Sequence, residues 1–494
     1  VPMRRINPKE RMFKNRDEEI IYTGDRGYKL ADVFENKVKL DDFVAQLSYN
    51  DLICMFRGEG MCSPKVTPGT AAAFGGITES LRNFGIPVAC CADGPSGIRM
   101  DCGTNAFSLP NGTALGCTFN VDLVKKLYKM TGIELCRNKI DSLLGPGMNI
   151  HRNPLNGRNF EYVSEDPILT GKIGAAQVIG IQEAGSTATI KHVCANNQEA
   201  SRRFVDSIVS ERALREIYLK GFEIAVKEGK ARSVMTTYNP VNGIWTAGSY
   251  DLCTTILRKE WGFDGIVMTD WWAEANTEGE KSTRENKAPM VLAQNDLYMC
   301  VSNSLENPEN DNVKERFEAG EVTRSDLQRN AKNILKFIMK SQAMLHELNL
   351  ISKEDLEEIN GQDDDGNISL EDIVYYYADK DSNDIIIDAS NFNNKKGDSE
   401  VFGISLNELG LYNIEITMKS EQGSLSQLPL SIYYDNALKS TITIRGTEGE
   451  WVTESRELGF IFGVNHYIKL YFGASGLDID KVVIKFMGKG KLPF

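Results

Sequence analysis

The chain has 494 residues, is 41% apolar and 25% charged, and carries a net charge of −13. That length exceeds one ordinary core and calls for two or three domains. The acidic balance, with no large basic block, argues against nucleic acid or a membrane surface as partner and suits a neutral substrate.

No run of 18 apolar residues occurs, so no membrane span is expected. The opening stretch "VPMRRINPKERMFKNRDEE" lacks the apolar core of a signal peptide, which gives the expectation of a cytoplasmic protein. It starts at Val1, as a processed chain or a piece of something longer would. Ten cysteines all precede position 301, with no CxxC pair and no zinc spacing. They read as reduced, packed thiols. With only four histidines, no metal and no cofactor are expected.

Residues 1–40 read as an irregular, charged lead-in. From 41 to 341, short apolar runs alternate with helical patterns. The expected strands are "IPVACCADG", "SLLGPGMN", "TATIKHV", "SVMTTYN", "GIVMTDW" and "DLYMCV". One amphipathic helix is expected over Ser210–Lys230, with Leu214, Ile217, Tyr218, Phe222 and Ala225 on one face. A second is expected over Ser325–Met344, with Leu327, Ala331, Ile334, Leu335 and Ile338. Repeated strand–helix units indicate a parallel α/β fold. Most of the strand runs end in a polar group: Asp93, Asn149, Lys191-His192, Tyr238, Asp270. In a closed (β/α)8-like TIM barrel those ends open on one mouth, whereas an open dinucleotide-binding sheet would need a Gly-rich turn that is absent.

Residues 342–380 read as an acidic linker. Within it, "GQDDDGNISLED" has the look of a calcium loop, but Gly361 at the first ligand position has no side-chain oxygen. Over 381–494 the period changes to two, and six short runs predict an antiparallel β-sandwich.

Chemistry concentrates at the strand ends. Asp270 follows an apolar run and is walled by Trp271 and Trp272, flat apolar faces of the kind that stack on sugar rings. An aspartate after a strand is also a common helix cap, so its neighbours matter. Lys191 and His192 offer adjacent donors, and Tyr238 ends its strand although Met235 is out of phase with it. Asp93 is presented by the rigid turn "ADGPSGIR".

The blocks "CADGPSGIR", "LLGPGMNIHRNPLNGRNFEYVSEDP", "IKHVCANNQEASRR", "VMTTYNPVNG" and "LRKEWGFDGIVMTDWWA" occur in collinear order over roughly residues 50–300. Together they resemble glycoside hydrolase family 3, in its β-glucosidase branch. The resemblance implies a (β/α)8-like barrel and a retaining, two-step hydrolysis of terminal non-reducing β-D-glucosyl residues. It implies Asp270 as nucleophile. It implies Asp93, Arg158, Lys191, His192 and Tyr238 as binders of glucosyl hydroxyls, Trp271 as a wall, Met235 as a lining residue and Arg202 as a neighbour. The substrate would be a β-glucoside or short gluco-oligosaccharide.

Two departures stand out. "KHVCANNQE" lacks the histidine-bearing loop of the N-acetylglucosaminidase members. The β-glucosidase branch also takes its acid/base glutamate from an α/β sandwich domain, and nothing after residue 341 reads as one. Some members of the family are permuted, with that domain preceding the barrel. The expectation is therefore a companion chain or N-terminal segment that carries it. The module over 381–494 resembles a jelly-roll carbohydrate-binding module, with Tyr433, Tyr434, Trp451 and Tyr471 as candidate contacts; dimerisation or barrel support is the plainer role, and a homo-oligomer stays open. The alternative to an enzyme is a non-catalytic glucoside-binding barrel that has kept its pocket.

Overall fold

The computed structural model describes residues 8–61, 63–102, 106–277, 279–352, 373–423, 426–435 and 437–490. It divides into two compact units: Val1–Arg99 with Ala106–Gly361, and Met100–Asn105 with Gln362–Phe494.

The first unit is built on an eight-stranded sheet: β1 (Arg57–Glu59), β2 (Ala72–Gly75), β3 (Val88–Asp93), β4 (Ser142–Leu144), β5 (Thr187–Val193), β6 (Ser233–Thr236), β7 (Ile266–Met268) and β8 (Tyr298–Val301). The strand order is β8-β1-β2-β3-β4-β5-β6-β7, and a parallel bridge from Met268 to Leu297 brings the last strand back to the first. The expected barrel is there, with one departure: β2 runs antiparallel to both neighbours. All six expected runs contain strands. The two unexpected ones, β1 and β2, have no long apolar run to betray them. In β1, Arg57 and Glu59 are buried by pairing rather than by hydrophobicity. Arg57 Nε donates to Asp311 Oδ2 at 2.7 Å, and Lys65 Nζ donates to both Glu59 oxygens at 2.7 and 2.8 Å. Gly58 separates them because a Cβ there would fall 2.5 Å from Met299 Sδ.

The barrel helices follow their caps. The helix α1 (Val121–Arg137) starts at Asn120, and α2 (Pro167–Glu183) starts at Asp166, whose carboxylate accepts from the amides of Ile168 and Leu169. The helix expected over 210–230 begins at Ser210. It then widens into an i→i+5 turn, where Leu219 N bonds to Leu214 O at 2.8 Å, and resumes as α3 (Lys220–Lys227). The helix expected to reach Met344 stops earlier. α4 (Arg324–Ile338) ends before Ser341, whose hydroxyl accepts from Met344 N and caps a separate short helix, Gln342–Glu347. The lead-in read as irregular holds two short helices, Pro8–Lys14 and Leu30–Phe34. It is pinned to α4, where the Gln328 amide exchanges hydrogen bonds with both backbone groups of Ile20 at 2.7 and 3.0 Å.

In the second unit, nine strands form two sheets: β9 (Tyr375–Tyr377), β10 (Ile385–Asp388), β11 (Ser399–Ser405), β12 (Gly410–Lys419), β13 (Gln427–Tyr434), β14 (Ala437–Arg445), β15 (Val452–Ile461), β16 (Asn465–Phe472) and β17 (Asp478–Gly488). One sheet has the order β9-β11-β16-β13-β14 and the other β10-β17-β12-β15. All pairings are antiparallel except β9 with β11. Strict alternation along β12 sends Tyr412, Ile414, Ile416 and Met418 into a core shared with Ile404, Leu430, Leu470 and Ile484. β9 lies inside the stretch read as linker. The calcium-like segment lies outside the described residues. Residues 100–102 group with this unit, and the Ser431 hydroxyl donates to the Cys102 carbonyl. The four candidate aromatics do not form one platform. Tyr433 and Tyr471 belong to the five-stranded sheet, Tyr434 stacks on His466, and Trp451 precedes a strand of the other sheet.

Eight of the nine described cysteines are buried, and Cys117 is exposed. Among the described residues, no helix is long and apolar enough to cross a membrane.

Candidate active site

Asp93 is the last residue of β3, Lys191 and His192 lie near the end of β5, Tyr238 is two residues past β6, and Asp270 two past β7. Hydrogen bonds and short contacts draw these strand ends together. Lys191 Nζ donates to Asp93 Oδ1 at 2.7 Å. His192 Nε2 lies 3.7 Å from Asp270 Oδ2, and the Tyr238 hydroxyl is hydrogen-bonded to Asp270. The Trp271 amide donates to Asp270 Oδ1 at 2.8 Å. Asp270 is thereby fixed at the barrel mouth, 9% exposed. The phase problem between Met235 and Tyr238 is resolved because β6 stops at Thr236, which frees Tyr238 to turn inward.

His192 is held at its backbone by one side chain. Asn149 Oδ1 accepts from the His192 amide at 3.0 Å, and Asn149 Nδ2 donates to its carbonyl at 2.8 Å. The imidazole lies between Arg158 Nη2, 3.2 Å from Nε2, and the Tyr162 hydroxyl, 3.2 Å from Nδ1. A guanidinium can only donate, so Nε2 accepts and the ring proton belongs on Nδ1. Burial, reinforced by the Arg158, Lys191 and Arg202 cations, holds the His192 pKa well below its ordinary value. The ring is neutral, and the contact with Asp270 is therefore not an ion pair.

The two aspartates are driven apart. Burial pushes both carboxyls up, but at Asp93 the Lys191 ammonium more than offsets it and leaves the pKa below the ordinary value. At Asp270 burial wins over Arg158, the Trp271 amide, Lys191 and Tyr238, and the pKa is raised. Burial, then the Asp270 charge, raises the Tyr238 phenol well above its usual range, so it stays a donor.

Around this centre the arginines are themselves restrained. Arg158 Nε donates to Glu161 and lies 3.9 Å from Glu199 Oε1. Glu199 also accepts from Arg202 Nη1 at 2.8 Å and from Asn196 Nδ2 at 3.1 Å. Arg202 and Arg203 both stack on the Tyr238 ring, at 4.8 and 4.5 Å. Arg203 also donates to the Trp272 carbonyl at 2.9 Å. Trp271 is 8% exposed, so the wall it forms is buried rather than open. Trp272 has a left-handed backbone, with φ at 55°, and is half-buried. Met235 is buried in β6 in register with Met268 and has no polar tie to the group.

Thus Asp93, Arg158, Lys191, His192, Arg202, Tyr238, Asp270 and Trp271 are brought together, with Met235 in the strand beneath. Tyr162, Asn196, Glu161, Glu199 and Arg203 were not singled out from sequence, and Asn149 was read there only as a polar strand end. They act through other residues, and Glu161 and Glu199 pair with arginines they precede or follow by three positions, the only local signal available. The chemical capacity is clear: a fixed carboxylate faces neutral and cationic donors suited to several hydroxyl groups. Asp93, Glu161 and Glu199 each hold a cation, so none of these three is free to serve as a proton donor.

Comparison with known proteins places this geometry in a family. Residues 65–337 match the model described as "Glycosyl hydrolase family 3 N terminal domain". A β-glucosidase of Ruminococcus albus is 50% identical over 98% of this chain and 50% of its own length. β-Glucosidase A of Butyrivibrio fibrisolvens is 43% identical over 55% of this chain and 31% of its own. Among solved structures, a β-glucosidase from Paenibacillus barengoltzii aligns with a TM-score of 0.70 at 46% identity, covering 98% of this chain and 51% of that one. β-Glucosidase 3B from Thermotoga neapolitana in complex with glucose aligns with a TM-score of 0.56 at 36% identity, covering 63% and 44%. The chain spans half the length, or less, of these relatives. With more than half of its residues in the matched span, including every residue of the site from Asp93 to Trp271, the chain belongs to glycosyl hydrolase family 3.

Proposed function

We propose that this chain is the nucleophile-bearing part of a retaining β-glucosidase. The observation that carries the reading is the convergence on Asp270: one buried carboxylate with the neutral His192, the Tyr238 phenol and the Lys191–Asp93 pair around it. The names of the relatives support the substrate class.

In the first step, an Asp270 oxygen bonds to the anomeric carbon as the bond from that carbon to the aglycone oxygen breaks. The departing oxygen needs a proton. Asp93, Glu161 and Glu199 are occupied by cations, and the chain spans about half the length of its relatives, so we assign the proton to a glutamate in the part of the protein those relatives carry beyond it. In the second step, water gives a proton back to that group and its oxygen attacks the anomeric carbon, which frees Asp270. Through both steps Lys191 donates to, and the Asp93 carboxylate accepts from, glucosyl hydroxyls, His192 positions Arg158, and Trp271 excludes water beside the reacting carbon.

The test is covalent trapping. An activated 2-deoxy-2-fluoro-β-D-glucoside should add one fluoroglucosyl mass to the chain, and peptide mapping should place it on Asp270. Binding without an adduct would instead make the protein a non-catalytic glucoside-binding barrel. The mass of the purified active species tests the companion-chain part.

A further inference from the structure

At the end of the barrel opposite Asp270 lies a cleft of about 490 Å³. Val88, which opens β3, and Asp141, which directly precedes β4, both line it, so it faces the N-terminal ends of the strands. Its other walls come from residues 65–67 between β1 and β2, from the turn at Lys139 and from the short helix Gln342–Glu347. None of its lining residues has a part in the steps described above.

The walls are tied to one another. Thr67 Oγ1 donates to the Asn138 carbonyl at 2.7 Å, and Cys90 Sγ donates to the Lys139 carbonyl at 3.3 Å. Asp141 joins two walls at once: Oδ1 accepts from the Ala343 amide and Oδ2 from the Cys90 amide, each at 2.8 Å. Lys65 is occupied by both Glu59 oxygens and by the Ile77 carbonyl.

Against this frame several polar groups of the lining stay uncommitted. The Arg82 and Lys139 side chains make no hydrogen bond or ion pair with another described residue, and both residues are exposed. His346 Nε2 is buried without a hydrogen-bond partner among the described residues. Burial, then the Lys139 ammonium, holds the His346 pKa below its ordinary value, so the ring is neutral and sits close to that cation. Of the two lining carboxylates, Asp141 is taken up by amides and Glu347 has no partner among the described residues.

Two uncommitted cations in one cleft, on a chain of net charge −13, call for an anion from outside. A guanidinium matches a phosphoryl group with two parallel donors, and an ammonium adds a point charge beside it. A phosphate monoester carries a charge of about −2 at pH 7, enough for both cations, whereas a single carboxylate would leave one unmatched. The volume exceeds what bare phosphate fills and lies in the range of small-ligand sites. Val66, Ile86 and Pro87 offer apolar surface to an organic body, and Glu347 can accept from its hydroxyls.

We propose that this cleft binds a phosphate monoester of sugar size, with Arg82 and Lys139 on the phosphoryl group and His346 beside them. The site is separate from Asp270 and does not depend on the reading of that residue.

Calorimetric titration of this chain with glucose 6-phosphate, in the presence of saturating glucose, tests it, because glucose fills any glucosyl site at Asp270. Glucose 6-phosphate should bind with one-to-one stoichiometry, about tenfold tighter than inorganic phosphate, and more weakly as salt rises. Arg82→Gln and Lys139→Gln, both changes on exposed side chains, should each weaken it about tenfold, the size of one charge-assisted hydrogen bond. If saturating glucose abolishes the binding, if both variants bind as the unaltered chain does, or if neither phosphate compound binds, the cleft is not such a site. Equal affinity for inorganic phosphate would overturn the assignment of a monoester. Should glucose alone give no binding, the reading of Asp270 fails, while the two variants still decide this proposal.

Discussion

His192 Nε2 lies 3.7 Å from Asp270 Oδ2, yet the two groups do not form an ion pair, because burial and three nearby cations keep the imidazole neutral. With Nε2 accepting from Arg158, the ring positions that guanidinium and is not a charge partner of the nucleophile. Replacing it by His192→Asn should therefore weaken glucose binding by roughly 3- to 10-fold, the range of one hydrogen bond. The acid limb of covalent labelling should stay where it is in the unaltered protein. A shift of that limb in the variant would mean that His192 is charged after all.

Asp270 is opposite in character. Its folded pKa is raised by burial, so its ionised form is disfavoured by folding. Its contribution favours the fold at low pH and is lost as pH rises through the folded value. Two outcomes follow. Labelling at Asp270 should fade on acidification at a pH above the ordinary aspartate value of 3.8. Asp270→Asn should abolish labelling and raise the melting temperature at pH 7, with a smaller gain near pH 4. Calorimetric scans at both values check the second outcome, and a lower melting temperature at pH 7 would contradict it.

How far the sequence reaches can be judged from particular residues. Asp93, Lys191, Tyr238 and Asp270 were legible because each closes an apolar run, and a barrel gathers such ends. β1 was not legible, since "RGE" is buried through Asp311 and Lys65 partners that only the fold brings near. The antiparallel course of β2 depends on a local turn that periodicity does not encode. The helix expected to continue through Met344 kept its apolar spacing, but the Ser341 cap overrode it. At the site, Asn149 and Tyr162 touch His192 from 43 and 30 residues away, a relation without a local signature.

Asp141 gives a pH test away from the site. It is buried at the start of β4, and burial pushes its pKa up to about 6 despite hydrogen bonds from the Ala343 and Cys90 amides. Because the folded value exceeds the ordinary 3.8, its stabilising contribution is complete below 3.8 and is lost as pH rises through about 6. Two pK units correspond to about 3 kcal/mol. Relative to Asp141→Asn, the unaltered protein should lose stability of that order between pH 4 and 7. Urea denaturation of both at each pH measures it, and a constant difference would refute it.

Glu199 is the sharpest case of a positioning residue. It accepts from Arg202 and lies 3.9 Å from Arg158 Nε, so it orients the arginine that bonds His192 and the one that stacks on Tyr238. Glu199→Gln keeps the shape and removes the charge. Glucose affinity should fall by about tenfold, the size of one charge-assisted hydrogen bond. Trapping at saturating fluoroglucoside should be nearly unchanged, since Asp270 itself is untouched. Titration and saturation labelling separate the two, and an equal loss in both would assign Glu199 a direct part in the chemistry.

The final expectation concerns the leaving group. On the proposed mechanism, Asp270 attacks without a general acid when the departing oxygen is already a weak base, as in a dinitrophenyl glucoside. The glucose unit expelled from cellobiose leaves as an alkoxide unless protonated, and loss of general acid help costs a factor of about 100 to 10,000. Acting alone, the chain should turn over the dinitrophenyl substrate measurably and cellobiose slower by a further factor of that size. Adding azide or formate, which can attack the glucosyl–enzyme without needing a general base, should speed turnover of the aryl glucoside only. Were the chain by itself to hydrolyse cellobiose at the rate of an intact β-glucosidase, the second carboxylate would have to lie among its own residues.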